Sequence, residues 1–124
     1  MLVFKLDGKK KLPALPPDEE PVLSPPPSTA TAAQIHNGEA VYQRFCSGCH
    51  GDVAVSGGVL PDLRYSTALT DDRWFRIVRD GALQSGGMVA FGKEVSQQDA
   101  ADIRAYVIFR ANQSMSEAKA NSQK

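Results

Sequence analysis

The sequence carries no surplus charge of either sign: 14 lysines and arginines meet 14 aspartates and glutamates across 124 residues. That balance supplies no basic field to draw in nucleic acid and no acidic tail to repel it. Long apolar runs are missing too, and none approaches the roughly 18 residues that a bilayer-spanning helix needs. Met1–Lys11 holds neither the apolar middle nor the small-residue cleavage site of a secretory signal, so the chain's address is not written there. Cysteine is scarce, two residues in one short cluster. This excludes a disulfide framework and leaves the redox compartment unread from cysteine number. No internal repeat is visible. The length suits one small domain with a modest core, to which an apolar ligand bound in the middle would add much.

Residues 1–12 contain Leu2-Val3-Phe4-Lys5-Leu6-Asp7-Gly8, which reads as one strand and a turn. A single strand without a partner is not a fold, so the fragment points to the residue of an upstream domain, or to a tail. Residues 13–30 are rich in proline and acidic side chains, a composition that builds no core and favours extended backbone, hence a linker. The folded part is expected over 31–112. Thr31 and Gln34 fit a capping box, opening a first helix to about Phe45 with Ile35, Gly38, Val41, Tyr42 and Phe45 on one face. Cys46–Thr70 reads as loop. Thr70 is expected to cap a second helix carrying Trp74, Phe75, Ile77 and Val78, which Gly81 stops. Ser85–Gly92 reads as a loop, mobile unless anchored. Ser96 and Asp99 open a last helix with Ile103, Tyr106 and Val107 on its buried side. Residues 113–124 are expected as a disordered polar tail. The fold class is all-α: three or more helices and long loops, with no convincing sheet.

One motif carries chemistry. Cys46-Ser47-Gly48-Cys49-His50 fits C-x-x-C-H, the pattern of covalent c-type haem attachment. Two thiols separated by two residues at a helix end reach the two vinyl groups on one porphyrin edge, and the next residue turns its imidazole to the iron. A redox disulfide and a two-cysteine zinc half-site are the rival readings of the pair. Zinc would need two further ligands, and only His36 and carboxylates remain. His50 needs an acceptor for its second ring N–H, sought in the loop near Pro61. The sixth iron ligand decides the function. Met88, in a glycine-rich loop, is the methionine internal to the domain, and gap-filling in the core is its ordinary alternative. His36 sits near the start of the first helix and is poorly placed to reach back. Arg64, Tyr65 and Trp74 are candidates to bond the haem propionates, although core packing is the commoner use of Trp74, Tyr42 and Tyr106. Asp52 reads as solvated surface. An open sixth position would instead give a haem enzyme or gas-binding domain.

With these residues in place, 31–112 resembles the class I cytochromes c. Gly38 and Tyr42 stand where the family's first-helix glycine and aromatic do, and Ile103-Arg104-Ala105-Tyr106-Val107 looks like its last-helix signature. The resemblance implies that these helices cross at Gly38, that the Pro61 carbonyl receives the His50 ring N–H, and that His50 and Met88 are the metal ligands of a covalent haem c. The glycine-rich setting of Met88 departs from the commoner proline-containing one. More narrowly, the chain resembles the C-terminal haem domain of soluble quinohaemoprotein alcohol dehydrogenases. That likeness implies a parent enzyme with a propeller bearing pyrroloquinoline quinone and calcium, a periplasmic address, and onward transfer to a small carrier such as azurin. None of the propeller's catalytic residues is present, so the domain alone is expected to be an electron carrier and no enzyme.

Overall fold

The computed structural model describes Lys9, Ala14 and residues 21–123. The strand expected over Leu2–Gly8 and most of the first half of the linker lie outside the described residues. Among the described residues the chain is helical and contains no strand.

Helix α1, Ala32–Phe45, starts where the sequence places its cap. Thr31 Oγ1 accepts from the Gln34 amide at 3.3 Å and Gln34 Oε1 accepts from the Thr31 amide at 3.0 Å, which satisfies two otherwise orphaned donors. One further turn, α2 (Ser47–His50), follows directly, and short 3₁₀ turns occupy Asp52–Ala54, Leu63–Tyr65 and Thr67–Thr70. Helix α3 is Arg73–Val78, and helix α4 runs over Gln97–Ser122.

The core forms where α1 crosses α4. Gly38 is buried there, and a Cβ built on it would lie 2.0 Å from the Asp102 carbonyl oxygen, so no other residue permits this approach. The crossing stacks Tyr42 against Tyr106, ring centroids 5.3 Å apart and tilted, with Ile103, Val107 and Ala111 filling the seam. Trp74 of α3 closes one side, donating Nε1–H to the Ala100 carbonyl of α4 at 2.7 Å.

Two expectations are corrected. Thr70 does not cap α3: its hydroxyl donates to the Thr67 carbonyl at 2.9 Å and closes the preceding 3₁₀ turn, while Asp71 Oδ1 takes the Arg73 amide at 2.8 Å. Gly81, with φ +77°, does end that segment, because the Ala82 amide reaches back to the Arg76 carbonyl at 3.0 Å. The second correction concerns residues 113–122, expected as a frayed tail but continuing α4 to Ser122. Polarity suggested disorder. The stretch nevertheless lacks Gly and Pro and carries Met115, Glu117, Ala118, Lys119 and Ala120, all good helix formers, and extending a helix costs far less than nucleating one.

The glycine-rich loop after α3 is anchored at its far end. Phe91 and Gly92 donate their amides to the Val78 and Arg79 carbonyls at 2.9 and 3.1 Å, and Arg79 Nε reaches the Val95 carbonyl at 3.1 Å. The described end of the linker lies against the domain, its Pro26 carbonyl accepting from Asn112 Nδ2 at 2.8 Å.

Candidate haem-binding site

The site is built on the junction of α1 and α2. Cys46 is the last residue bonded into α1, its amide donating to the Tyr42 carbonyl at 2.8 Å, and its own carbonyl accepts from the Cys49 and His50 amides at 3.1 and 2.9 Å. This single turn presents both thiols and the imidazole from one short rigid segment. Both cysteines are free; Cys46 is buried and Cys49 exposed. Burial, with the Cys49 sulfur beside it, pushes the Cys46 thiol up to about 11. A dithiol oxidoreductase depends on a lowered thiol pKa, so this environment is the reverse of what a redox disulfide needs. A closed zinc site fares no better, since the described residues contain no grouping of three or more His, Cys, Asp or Glu able to hold a metal ion.

His50 is 8% exposed, and its Nδ1 lies 3.3 Å from the Pro61 carbonyl oxygen. A carbonyl only accepts, so the contact requires the proton on Nδ1 and leaves the Nε2 lone pair open to a metal. That donor set, two free thiols on the turn that ends in an oriented imidazole, fits a covalently attached haem. The turn beyond His50 is unusual. Val53 and Ala54 both have positive φ, +52° and +61°, conformations that side chains with a Cβ avoid. Long-range bonds hold this turn: Tyr42 Oη donates to the Gly51 carbonyl at 2.7 Å and Arg110 Nε to the Val53 carbonyl at 3.2 Å. Neither role is visible in local sequence.

The remaining candidates divide. Met88 is partly buried, follows Gly87 at φ +96°, and donates its amide to the Leu83 carbonyl at 3.2 Å. Met115, assigned to the tail from sequence, lies partly buried on α4. His36 is exposed on α1. Arg64 gives Nε and Nη2 to Asp62 at 3.0 and 2.7 Å and Nη1 to Ser114 at 2.9 Å, which leaves two of its five N–H donors without a partner among the described residues. Tyr65 is 38% exposed beside it. Trp74 is drawn away from any propionate role, because its indole N–H is committed to Ala100 inside the core.

A small helical domain with a C-x-x-C-H turn whose histidine is buttressed by a carbonyl defines a c-type cytochrome. The chain belongs to the cytochrome c family whose model is described as cytochrome c oxidase, cbb3-type, subunit III, which matches residues 33–107. It is 42% identical over 117 residues to the dehydrogenase subunit of a quinone alcohol dehydrogenase of Gluconobacter oxydans, covering 92% of this chain and 15% of that protein. It is 41% identical over 113 residues to the quinohemoprotein alcohol dehydrogenase ADH IIB of Pseudomonas putida, covering 89% and 16%. Cytochrome c550 of Pseudomonas aeruginosa is 36% identical over 97 residues, covering 73% of this chain and 63% of its own length. Among solved structures, quinohemoprotein alcohol dehydrogenase ADHIIG of Pseudomonas putida HK5 superposes with a TM-score of 0.67 at 36% identity, over 85% of this chain and 15% of that one. The chain thus spans about a sixth of the length of the dehydrogenases it matches.

Proposed function

We propose that this domain transfers single electrons through a haem c bound covalently by Cys46 and Cys49, with His50 and Met88 as axial ligands. The observation that carries the reading is the pairing of His50 Nδ1 with the Pro61 carbonyl directly beside the two free thiols. When bound, the haem supplies one-electron redox chemistry at its iron. The protein's part is to hold that iron still. Pro61 fixes the imidazole ring, the burial of His50 keeps water from it, and the α1–α4 crossing keeps the attachment turn rigid. Two further donors of Arg64 and the exposed Tyr65 hydroxyl, with no partner among the described residues, would serve the propionates.

The electron donor in this reading is a quinone-dependent alcohol dehydrogenase domain, as the names of the relatives support; pyrroloquinoline quinone and calcium would be its groups, and the acceptor a small carrier such as azurin. The linker would raise the local concentration of the haem domain beside its donor. The domain by itself is a carrier, with alcohol oxidation belonging to the donor. The location in this reading is periplasmic, supported by the likeness to quinohaemoprotein dehydrogenases. No helix of the described residues is long and apolar enough to cross a membrane.

The test is the absorption spectrum of the haem-loaded chain beside Met88→Ala and Met115→Ala. The expected result is a low-spin spectrum in both oxidation states, with an iron–sulfur band lost in Met88→Ala and kept in Met115→Ala. A high-spin spectrum indifferent to Met88 would replace this reading with that of an open, ligand-binding haem.

A further inference from the structure

We propose that Asp62 is a positioning residue for the axial imidazole, its carboxylate holding the 56–64 loop so that the Pro61 carbonyl stays on Nδ1 of His50. The assignment rests on the haem reading above. Four donors converge on this one side chain. Oδ1 accepts from the Arg64 amide and Nε, both at 3.0 Å, and Oδ2 accepts from the Ser56 amide at 3.1 Å and from Arg64 Nη2 at 2.7 Å. The loop is thereby closed at both ends on one carboxylate. Its interior is tied again, since the Ser56 hydroxyl bonds the Leu60 carbonyl and accepts from the Gly58 amide at 3.0 Å. Arg64 Nη1 extends the assembly to Ser114 of α4 at 2.9 Å, which fixes the loop to the helix that forms the core.

Pro61 needs such support. It has no N–H with which to anchor itself, so the direction of its carbonyl depends on the residues on either side. Asp62 is the next residue, and its side chain is the point to which the chain before and after Pro61 is bound. Asp62 is partly buried with its side chain 19% exposed, so these bonds are shielded from competing water. An acceptor on the outer nitrogen makes the imidazole a stronger donor to a metal and favours the more positive oxidation state. A carbonyl that drifts away weakens that effect. Loss of the Asp62 carboxylate is therefore read at the iron, although the residue touches neither haem nor His50.

The experiment uses the haem-loaded chain and its Asp62→Asn variant. Asparagine keeps an oxygen for the Arg64 amide but loses the charge and the second acceptor oxygen. Two quantities are measured: the midpoint potential, and the solvent exchange of the His50 Nδ1 proton by NMR in the reduced state. The expected result is a higher potential and an exchange rate raised about tenfold, the factor set by the net worth of one hydrogen bond to a charged group. Ser116→Ala, which removes an exposed hydroxyl bonded to the Asn112 carbonyl one helical turn back, outside this assembly, should move neither. A lower melting temperature in Asp62→Asn with potential and exchange unchanged would make Asp62 a scaffold residue only and overturn the assignment. If Asp62→Asn does not mature, Asp62→Glu, which keeps the charge but misplaces it by a methylene, is measured the same way; unchanged values there overturn it equally. A parent chain without a histidine-bound haem would instead refute the haem reading, and the assignment with it, before any variant is compared.

Discussion

Gly38→Ala tests the packing that positions the whole site. The added methyl would sit 2.0 Å from the Asp102 carbonyl oxygen, 2.5 Å from its carbon and 3.0 Å from Tyr106 Cβ. Two of these obstacles are α4 backbone, which cannot swing aside as a side chain does. The helices must separate by more than an ångström, and the separation loosens Tyr42, Ile103 and Tyr106, all almost fully buried. Overpacking typically costs about 1–3 kcal/mol and more when backbone must move, whereas alanine's better helix propensity returns about 1 kcal/mol. Counting the packing lost as the seam opens, the net expectation is a destabilisation of about 2–4 kcal/mol. That is a large share of the roughly 5–15 kcal/mol of a typical domain. It corresponds to a fall in melting temperature of about 10–20 °C for a domain of this size. Urea unfolding followed by far-ultraviolet circular dichroism measures it, with Gly57→Ala as the control, since a Cβ at Gly57 meets nothing within 4 Å. A Gly38→Ala chain as stable as its parent would refute the close crossing of α1 and α4.

Two other outcomes follow from the geometry. Trp74→Phe should cost about 2–3 kcal/mol, through the lost 2.7 Å bond to Ala100 and the space left behind, while haem spectrum and potential stay put; a shifted potential at unchanged stability would return Trp74 to the haem. Asp62 is raised by burial, but bonds from Arg64 and from the Ser56 and Arg64 amides outweigh this and hold it below the usual carboxylate range; bonds from Ser96 and Asn37 lower Asp99. Because the folded pKa lies below the unfolded value, the stability these groups contribute is complete above about pH 4 and is lost as pH falls through the folded values. Acid titration of unfolding free energy should show this decline, and Asp62→Asn should flatten it; identical acid limbs would refute the contribution of Asp62.

The parts legible in the sequence are those whose cause is local. Thr31 with Gln34 and Ser96 with Asp99 announce both long helices, because a capping box is a contact across three residues. Gly81 announces the end of α3 for the same reason. The parts that stayed hidden depend on distant partners. Trp74 looks equally suited to core and propionate until Ala100, 26 residues away, takes its N–H. Thr70 looks like the cap of α3 until the 3₁₀ turn at Thr67–Thr70 takes its hydroxyl and Asp71 receives the Arg73 amide. Residues 113–122 look like a tail because they are polar, yet helix propensity carries the helix on and Ser114 meets Arg64, 50 residues away, along it. At the site, Cys46, Cys49 and His50 declare themselves by spacing. Tyr42 and Arg110, which hold the backbone around them, give no local signal, since each acts through a hydrogen bond to a carbonyl that any residue could supply, and Asp62 shows locally as the cap of the Leu63–Tyr65 turn but not in its bond to the Ser56 amide.

Covalent attachment at the Cys46–Cys49 turn is the central claim, and the most direct measurement is mass spectrometry of the purified, haem-loaded chain after denaturing acid extraction, beside the Cys46→Ala/Cys49→Ala double variant. One haem is expected to stay on the parent chain, borne by the peptide containing Cys46, Cys49 and His50, and extraction is expected to strip it completely from the double variant. Haem lost from both, or a parent chain whose two cysteines are joined in a disulfide with no haem retained, would contradict it.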